Sequence, residues 1–433
     1  MNGKAVAAIY FNNIIFLFVG GFIMALAMER WELHRRIALR IMLIIGSSPR
    51  RILLGFMTAT FFLSMWISNT ATTMMMVPMA LAIIAKLKEE FPSDQTKKIA
   101  VGLLLGIAYA ASIGGTATLI GTPPNLAFAR IYNIQFPAGP EISFAQWFGF
   151  ALPFALVFGL LCWGVLLWLF SPPKGAFGEG ASVFREEHHR HGPMTYEQKV
   201  IMVLFVILAL AWLFRRPIEF GSFTILGWSL LLPEPSFIDD GTVAIVIALL
   251  LFLIPARSPR RKRLMNWRTA NKLHWGIVLL FGGGFALAAG FEESGLSRWL
   301  GDSLAGLRHF PAVGMVAGIC GSLTFLTELT SNTATTQIIL PILGSLSGAI
   351  QANPLLLMVP ATLSASCAFM LPVATPPNAI VFGSGEISME TMIRAGIILN
   401  LAGVLFITAY MFLVGTFSFG IDLCVVPDWA IGH

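Results

Sequence analysis

The segment Ser68-Asn69-Thr70-Ala71-Thr72-Thr73 returns 263 positions later as Ser331-Asn332-Thr333-Ala334-Thr335-Thr336. The flanks keep that offset. Phe62-Leu63 pairs with Phe325-Leu326, Pro78 with Pro341, and Gly20-Gly21-Phe22 and Glu29 with Gly283-Gly284-Phe285 and Glu292. A second doubled stretch follows, Thr122-Pro123-Pro124-Asn125 and Thr375-Pro376-Pro377-Asn378, 253 apart. The chain is therefore two copies of one unit, and each copy carries two polar, helix-interrupting stretches. Any fold must put the four breaks in related surroundings.

Those surroundings are apolar. Of 433 residues, 56% are hydrophobic and only 12% charged, against about 25% charged in a soluble domain. That leaves too few charges to cover a water-facing surface, so the chain belongs in a membrane. Apolar runs at 8–28, 98–113, 145–170, 199–214, 241–256, 275–290, 354–371 and 396–416 read as spans, and 291–308 as an amphipathic surface helix. Residues 52–85 and 309–350 are apolar but broken in the middle by the Ser-Asn-Thr tips. A half-helix of ~10 residues rises ~15 Å, so a helix–tip–helix hairpin puts each tip near mid-depth. Paired prolines lack N–H groups and clash with the preceding turn, so the chain should unwind and restart there. The expected fold is an all-α polytopic membrane protein, built as inverted repeats with two re-entrant helical hairpins and two unwound transmembrane helices. The first repeat is 1–170, with tip 68–70 and unwound stretch 114–125. A cytoplasmic loop, 171–198, follows. The second repeat is 199–416, with tip 331–333 and unwound stretch 372–378, and 417–433 is a tail.

Charge orients this arrangement. Segments 29–51, 86–98, 171–198 with Lys199 at its edge, 257–272 and 384–395 hold 22 of the 28 Lys and Arg. Placed on the cytoplasmic side, they obey the positive-inside bias. The hairpins then enter from opposite faces, as an inverted repeat requires. The basic loop 257–272 reads as a cytoplasmic loop, not a nucleic-acid patch. The second copy has two spans ahead of the helix that matches 8–28 and the first has none, which leads us to expect upstream helices before Met1.

Ser, Asn and Thr are neutral groups that can ligate a hard cation through oxygen or donate to a carboxylate. A helix starting at a tip adds free N–H groups and the positive end of its dipole. Unwound carbonyls suit Na⁺. Together they make two pseudo-symmetric cation sites flanking one anion site, the reading of a secondary transporter. Bound cations would offset the anion's charge in a low dielectric. Glu328, an acid at membrane depth, reads as a paired hairpin acid or a cation partner. Cys162, Cys320, Cys367 and Cys424 have no metal-ligand spacing, and His188, His189 and His191 sit in a polar loop. Gly282-Gly283-Gly284 is followed by no Lys-Ser/Thr, so it is not a phosphate loop. No nucleophile–base constellation is present, which argues against an enzyme.

At the doubled Ser-Asn-Thr and Thr-Pro-Pro stretches the chain resembles the divalent anion/Na⁺ symporter family, the dicarboxylate and citrate carriers of the ion-transporter superfamily. The resemblance runs over nearly the whole chain. It implies a homodimer in the cell (inner) membrane, in contact with lipid, whose protomers each have a scaffold and a transport domain that moves as an elevator. It implies a first Na⁺ site at Ser64, Ser68, Asn69 and Gly121, and a second at Thr327, Asn332 and Ala374. The substrate carboxylates should meet Asn69, Thr70, Asn332, Thr333, Thr375 and Pro376. The chain departs from the family's pattern at its amino end, where about three scaffold helices are not seen. The expected activity is Na⁺-coupled symport of C4-type dicarboxylates. The competing readings are Na⁺-independent dicarboxylate exchange, transport of citrate or sulfate, an ion channel, and an inactive fragment.

Overall fold

The structure is a computed structural model. It describes residues 2–10, 12–46, 48–90, 92–170, 186–187, 190–220, 223–259, 261–296, 299, 303, 306, 310–423 and 425–430. His188, His189 and Cys424 lie outside the described residues, as does much of the expected surface helix 291–308.

The helices, in order, are α1 (Gly3–Tyr10), α2 (Asn13–Arg30), α3 (Leu33–Ile45), α4 (Pro49–Ser64), α5 (Asn69–Glu90), α6 (Ser93–Thr116), α7 (Pro123–Gln135), α8 (Phe144–Phe170), α9 (Tyr196–Leu213), α10 (Asp240–Leu253), α11 (Trp267–Ala270), α12 (Trp275–Glu293), α13 (Ala312–Leu326), α14 (Asn332–Ala349), α15 (Pro354–Ala365), α16 (Pro376–Phe382) and α17 (Met389–Tyr410). Among the described residues seven helical stretches are long and apolar enough to cross a membrane, and α10, α13 and α15 are shorter apolar helices. The protein is an integral membrane protein of mostly helical build. A two-stranded antiparallel ribbon, Ile218–Phe220 with Phe223–Ile225, lies between α9 and α10.

The two hairpins are α4–α5 and α13–α14, and each breaks at its Ser-Asn-Thr motif. The Thr-Pro-Pro-Asn motif starts a helix in both copies, at the end of the break that follows the helix before it. The prolines occupy the first helical positions of α7 and α16, where no N–H is needed and the fixed φ suits the helix. The unwound stretches differ from the expected bounds. Helix α6 runs through Gly114 and Gly115 to Thr116, so the first break is 117–122, while α15 stops at Ala365 and the second spans 366–375.

Packing repeats with the sequence. Helix α6 lies against α4, α5 and α8, and its pseudo-equivalent α15 lies against α13, α14 and α17. The copies also cross over: α7 packs on α14, and α16 packs on α5. Among the hydrogen bonds that join the repeats are those from Tyr109 Oη to Phe369 O (2.8 Å), from Gln135 Nε2 to Pro341 O (2.9 Å) and from Tyr410 Oη to Phe150 O (2.8 Å). Every residue of α6 from Ile99 to Thr116 is buried, as suits a helix that is apolar all round. The outer helices instead keep exposed apolar stripes at helical spacing, such as Val203, Val206, Ile207 and Leu210 on α9 and Val246, Leu249 and Leu253 on α10. In lipid such a face carries no penalty, and contact between helices relies on close fit. Helices α2 and α10 achieve this through glycine: a Cβ on Gly20 would lie 2.6 Å from the backbone of Ala244.

The segment read only as basic, 29–51, contains the amphipathic helix α3. Leu33, Ala38, Leu39 and Met42 are buried, and so is Arg36. Arg36 donates to the carbonyls of His191, Gly192 and Pro193 at 2.8–3.4 Å, so a charge read as solvated ties down the end of the long loop. On the other side of the sheet ribbon, Arg215 bonds Asp240 at 2.6 Å and Glu141 at 3.0 Å. Burial alone would lower the Arg215 pKa, but these two carboxylates outweigh it and hold the value raised.

Candidate functional site

The first tip is built by three short-range constraints. Ser64 ends α4, and Asn69 begins α5 five residues later. Ser68 Oγ accepts the N–H of Ala71 (3.2 Å), and Thr73 Oγ1 donates to Asn69 O (2.8 Å). Ser68 is thus the cap of α5, and its hydroxyl is occupied. Ser64 Oγ lies 2.5 Å from Asn69 Oδ1 and 2.7 Å from Ala111 O. One hydroxyl proton thus faces two acceptor oxygens. Turning the Asn69 amide puts its nitrogen 2.5 Å from Ser64 Oγ, 3.2 Å from Ala111 O and 3.3 Å from Gly121 O. Either way, oxygens from the tip, from α6 and from the unwound stretch converge on one point.

Glycine makes that approach possible. A Cβ at Gly115 would lie 2.7 Å from Asn69 Oδ1. One at Gly114 would collide with the backbone of Phe61, and one at Gly121 with the carbonyl of Gly115.

The second tip repeats the arrangement. Thr327 Oγ1 donates to Asn332 Oδ1 (2.6 Å) and also faces Ala365 O (3.1 Å). Thr336 Oγ1 donates to Asn332 O (2.7 Å), the counterpart of Thr73. The structure therefore brings Ser64, Asn69 and Gly121 together, and likewise Thr327 and Asn332. Ala374 is buried, and its N–H donates to Leu371 O (3.2 Å). In the second copy it is the Ala365 carbonyl that stands beside the hydroxyl.

Of the expected anion contacts, Thr70 and Thr333 lie in the first turns of α5 and α14. Thr375 caps α16 by accepting the N–H of Asn378 (3.3 Å). Pro376 is exposed at the start of that helix. Since Pro376 and Pro377 have no N–H, the start of α16 offers an anion only the Thr375 hydroxyl. The free backbone donors belong to the hairpins.

Residues the sequence reading did not assign also build the site. Asn125 Nδ2 donates to Gly115 O, Thr116 O and Thr118 O (3.4, 3.1 and 2.8 Å). Asn378 Nδ2 donates to Ala368 O and Leu371 O (3.1 and 3.0 Å), the carbonyls that correspond to those of Gly115 and Thr118. Both asparagines are fully buried and hold the unwound stretch in shape. Their signal was in the sequence, as the last letter of the doubled motif. Thr118 Oγ1 bonds Met65 O (2.5 Å) and ties that stretch to the first tip. Glu328 is buried and is bonded to backbone N–H groups and Asn400, which makes it a paired acid. A cavity of about 1030 Å³ opens elsewhere, at the end of α2 among Arg30, Arg261, Lys262, Arg263, Arg268 and Lys272. The cavity is not part of the tip assembly.

Residues 2–419 match the model of the family described as "Sodium:sulfate symporter transmembrane region". The chain belongs to this divalent anion/Na⁺ symporter family. The chain is 44% identical over 429 residues to the sodium-dependent dicarboxylate transporter SdcS of Staphylococcus saprophyticus, covering 98% of this chain and 80% of that protein. It is 45% identical over 426 residues to SdcS of Staphylococcus aureus, covering 97% of this chain and 80% of the relative. Among solved structures the chain is similar in fold to Neisseria gonorrhoeae MtrF, with TM-score 0.63, 13% identity, and coverage of 95% of this chain and 84% of that one. It is also similar to the Alcanivorax borkumensis YdaH transporter, with TM-score 0.58, 13% identity, and coverage of 96% and 88%. The relatives are transporters rather than enzymes.

Proposed function

We propose that this chain is a Na⁺-coupled carrier of C4-type dicarboxylates such as succinate, malate or fumarate. The observation that carries the reading is the pair of oxygen clusters, Ser64–Asn69–Ala111–Gly121 and Thr327–Asn332–Ala365. In each, a side-chain hydroxyl, an asparagine amide and main-chain carbonyl oxygens gather within hydrogen-bond distance of one another, a set of neutral oxygens that suits a hard cation. The close relatives named as sodium-dependent dicarboxylate transporters support the choice of ion and substrate.

In this reading Ser64, Ser68, Asn69 and Gly121 hold the first Na⁺, Ser68 through its carbonyl because its hydroxyl caps α5. Thr327, Asn332 and Ala374 hold the second, with Ala365 O added to the set. The dianion lies between the tips. It takes hydrogen bonds from the amides of Asn69 and Asn332, the first-turn groups of Thr70 and Thr333, and the Thr375 hydroxyl, with Pro376 packing against it. Helices α5 and α14 point their positive ends toward it. No lysine or arginine need neutralise the substrate, because the cations do so. The carrier works as a homodimer in lipid, and its crossed core moves as one body against the outer helices.

Radiolabelled succinate uptake into proteoliposomes tests this. Uptake should require an inward Na⁺ gradient and vanish when K⁺ replaces Na⁺. Uptake driven only by internal succinate would make the protein an exchanger, and flux that never saturates would make it a channel.

A further inference from the structure

Beside the cation sites the two copies differ in charge at one position. Where the first tip has Met65, the second has Glu328, one residue after Thr327. Glu328 is 3% exposed. Its Oε1 accepts the N–H of Phe369 (2.8 Å), the N–H of Met370 (2.9 Å) and Asn400 Nδ2 (2.7 Å), and its Oε2 accepts the N–H of Leu371 (2.9 Å). All four partners are donors, the set that an acceptor-only carboxylate takes. The acid is held by three consecutive backbone amides, an anion nest.

This nest accounts for the unequal breaks. In the first copy the positions matching Phe369 and Met370 are Thr116 and Ala117, whose N–H groups lie at the end of α6; that of Ala117 goes to Gly114 O (3.1 Å). In the second copy α15 stops at Ala365, and the carboxylate of Glu328 takes the place of the helix carbonyls. The stretch 366–375 is thereby held open. Ala365 O stays turned to Thr327, and Ser366 is buried with its hydroxyl unpaired.

We propose that Glu328 is a positioning residue that sets the cation affinity of the second site, which makes the two Na⁺ sites unequal. It acts in two ways. It fixes the unwound carbonyls, and it places a buried negative charge beside a site otherwise made of neutral groups, where a low dielectric strengthens its attraction for a cation. The first site, with Met65, has neither help. The inference rests on the Na⁺-symport reading above.

The test uses the purified full chain and reads two things against Na⁺ concentration: the rise in melting temperature over choline, and succinate binding. Glu328→Gln keeps the shape, removes the charge, and turns amide donors toward backbone N–H groups. The Na⁺ midpoint should rise on the order of tenfold, and high Na⁺ should restore succinate binding. Asn400→Ala removes one of the four hydrogen bonds and should raise the midpoint about threefold, which keeps the test open if Glu328→Gln does not fold. A role confined to stability would lower the melting temperature in choline and leave the midpoint in place, and that result overturns the proposal. A wild-type chain that Na⁺ does not stabilise overturns the symport reading and this one together. A wild type that responds to Na⁺, with unshifted midpoints in the folded variants, overturns this inference alone.

Discussion

At Gly115 one methyl group decides whether the first tip can form. Its Cβ would press on the Asn69 amide at 2.7 Å, and neither the helix nor the amide has room to retreat. Gly115→Ala should cost about 1–3 kcal/mol of overpacking and reduce Na⁺-driven succinate uptake by at least about tenfold in proteoliposomes with matched protein content; wild-type uptake would refute the cluster as drawn. Asn69→Ala and Asn332→Ala remove an amide that, in the proposed function, serves both cation and anion. Each should abolish measurable succinate binding while the protein still inserts, and normal affinity in either would remove that tip from the site. At this scale the sequence was most informative for side chains. Asn69 and Asn332 could be named because the motif is doubled and its offset is constant, while Ser64 and Thr327 were named through the resemblance to the family. The carbonyls of Ala111 and Ala365 could not, because a backbone oxygen leaves no mark on residue type. Glu328 was visible as an acid at depth, but its partners lie 41 or more positions away, and no local pattern announces them.

At the scale of elements, each unwound stretch is a helix end held by an asparagine. Asn378→Ala would leave the buried carbonyls of Ala368 and Leu371 without that donor. The cost should be about 1–3 kcal/mol, read as a lower melting temperature in detergent. Restoring α15 by some other route would appear instead as unchanged stability. The breaks themselves were legible because proline chemistry is local: Pro-Pro cannot sit inside a helix but suits the start of one. Their lengths were not, because α6 continues to Thr116 on its own hydrogen bonds while α15 stops at Ala365 and the amides of Phe369, Met370 and Leu371 beyond it go to Glu328. Helix α3 was missed for a related reason. Arg35, Arg36 and Arg40 dominate a short segment and read as a solvated run, yet Arg36 is buried against three carbonyls of a loop 155–157 positions away.

At the scale of the whole molecule, the two repeats are not side by side but crossed, with α7 on α14 and α16 on α5. If that crossed core moves as a body, a crosslink between the α13–α14 hairpin and the outer helices should stop succinate flux when complete. Undiminished flux under complete crosslinking would rule the movement out. The same crossing governs the order of events during synthesis. Tyr109 waits for Phe369, 260 positions further along the chain. At about 5–20 residues per second the ribosome needs roughly 10–50 s to deliver that partner. For all of that time the first half sits in the bilayer without the second-half helices α14 and α16 that pack on its α7 and α5. A membrane protein of this design is therefore exposed to quality control for most of its own translation, and its yield in a cell depends on how long half a core can be sheltered.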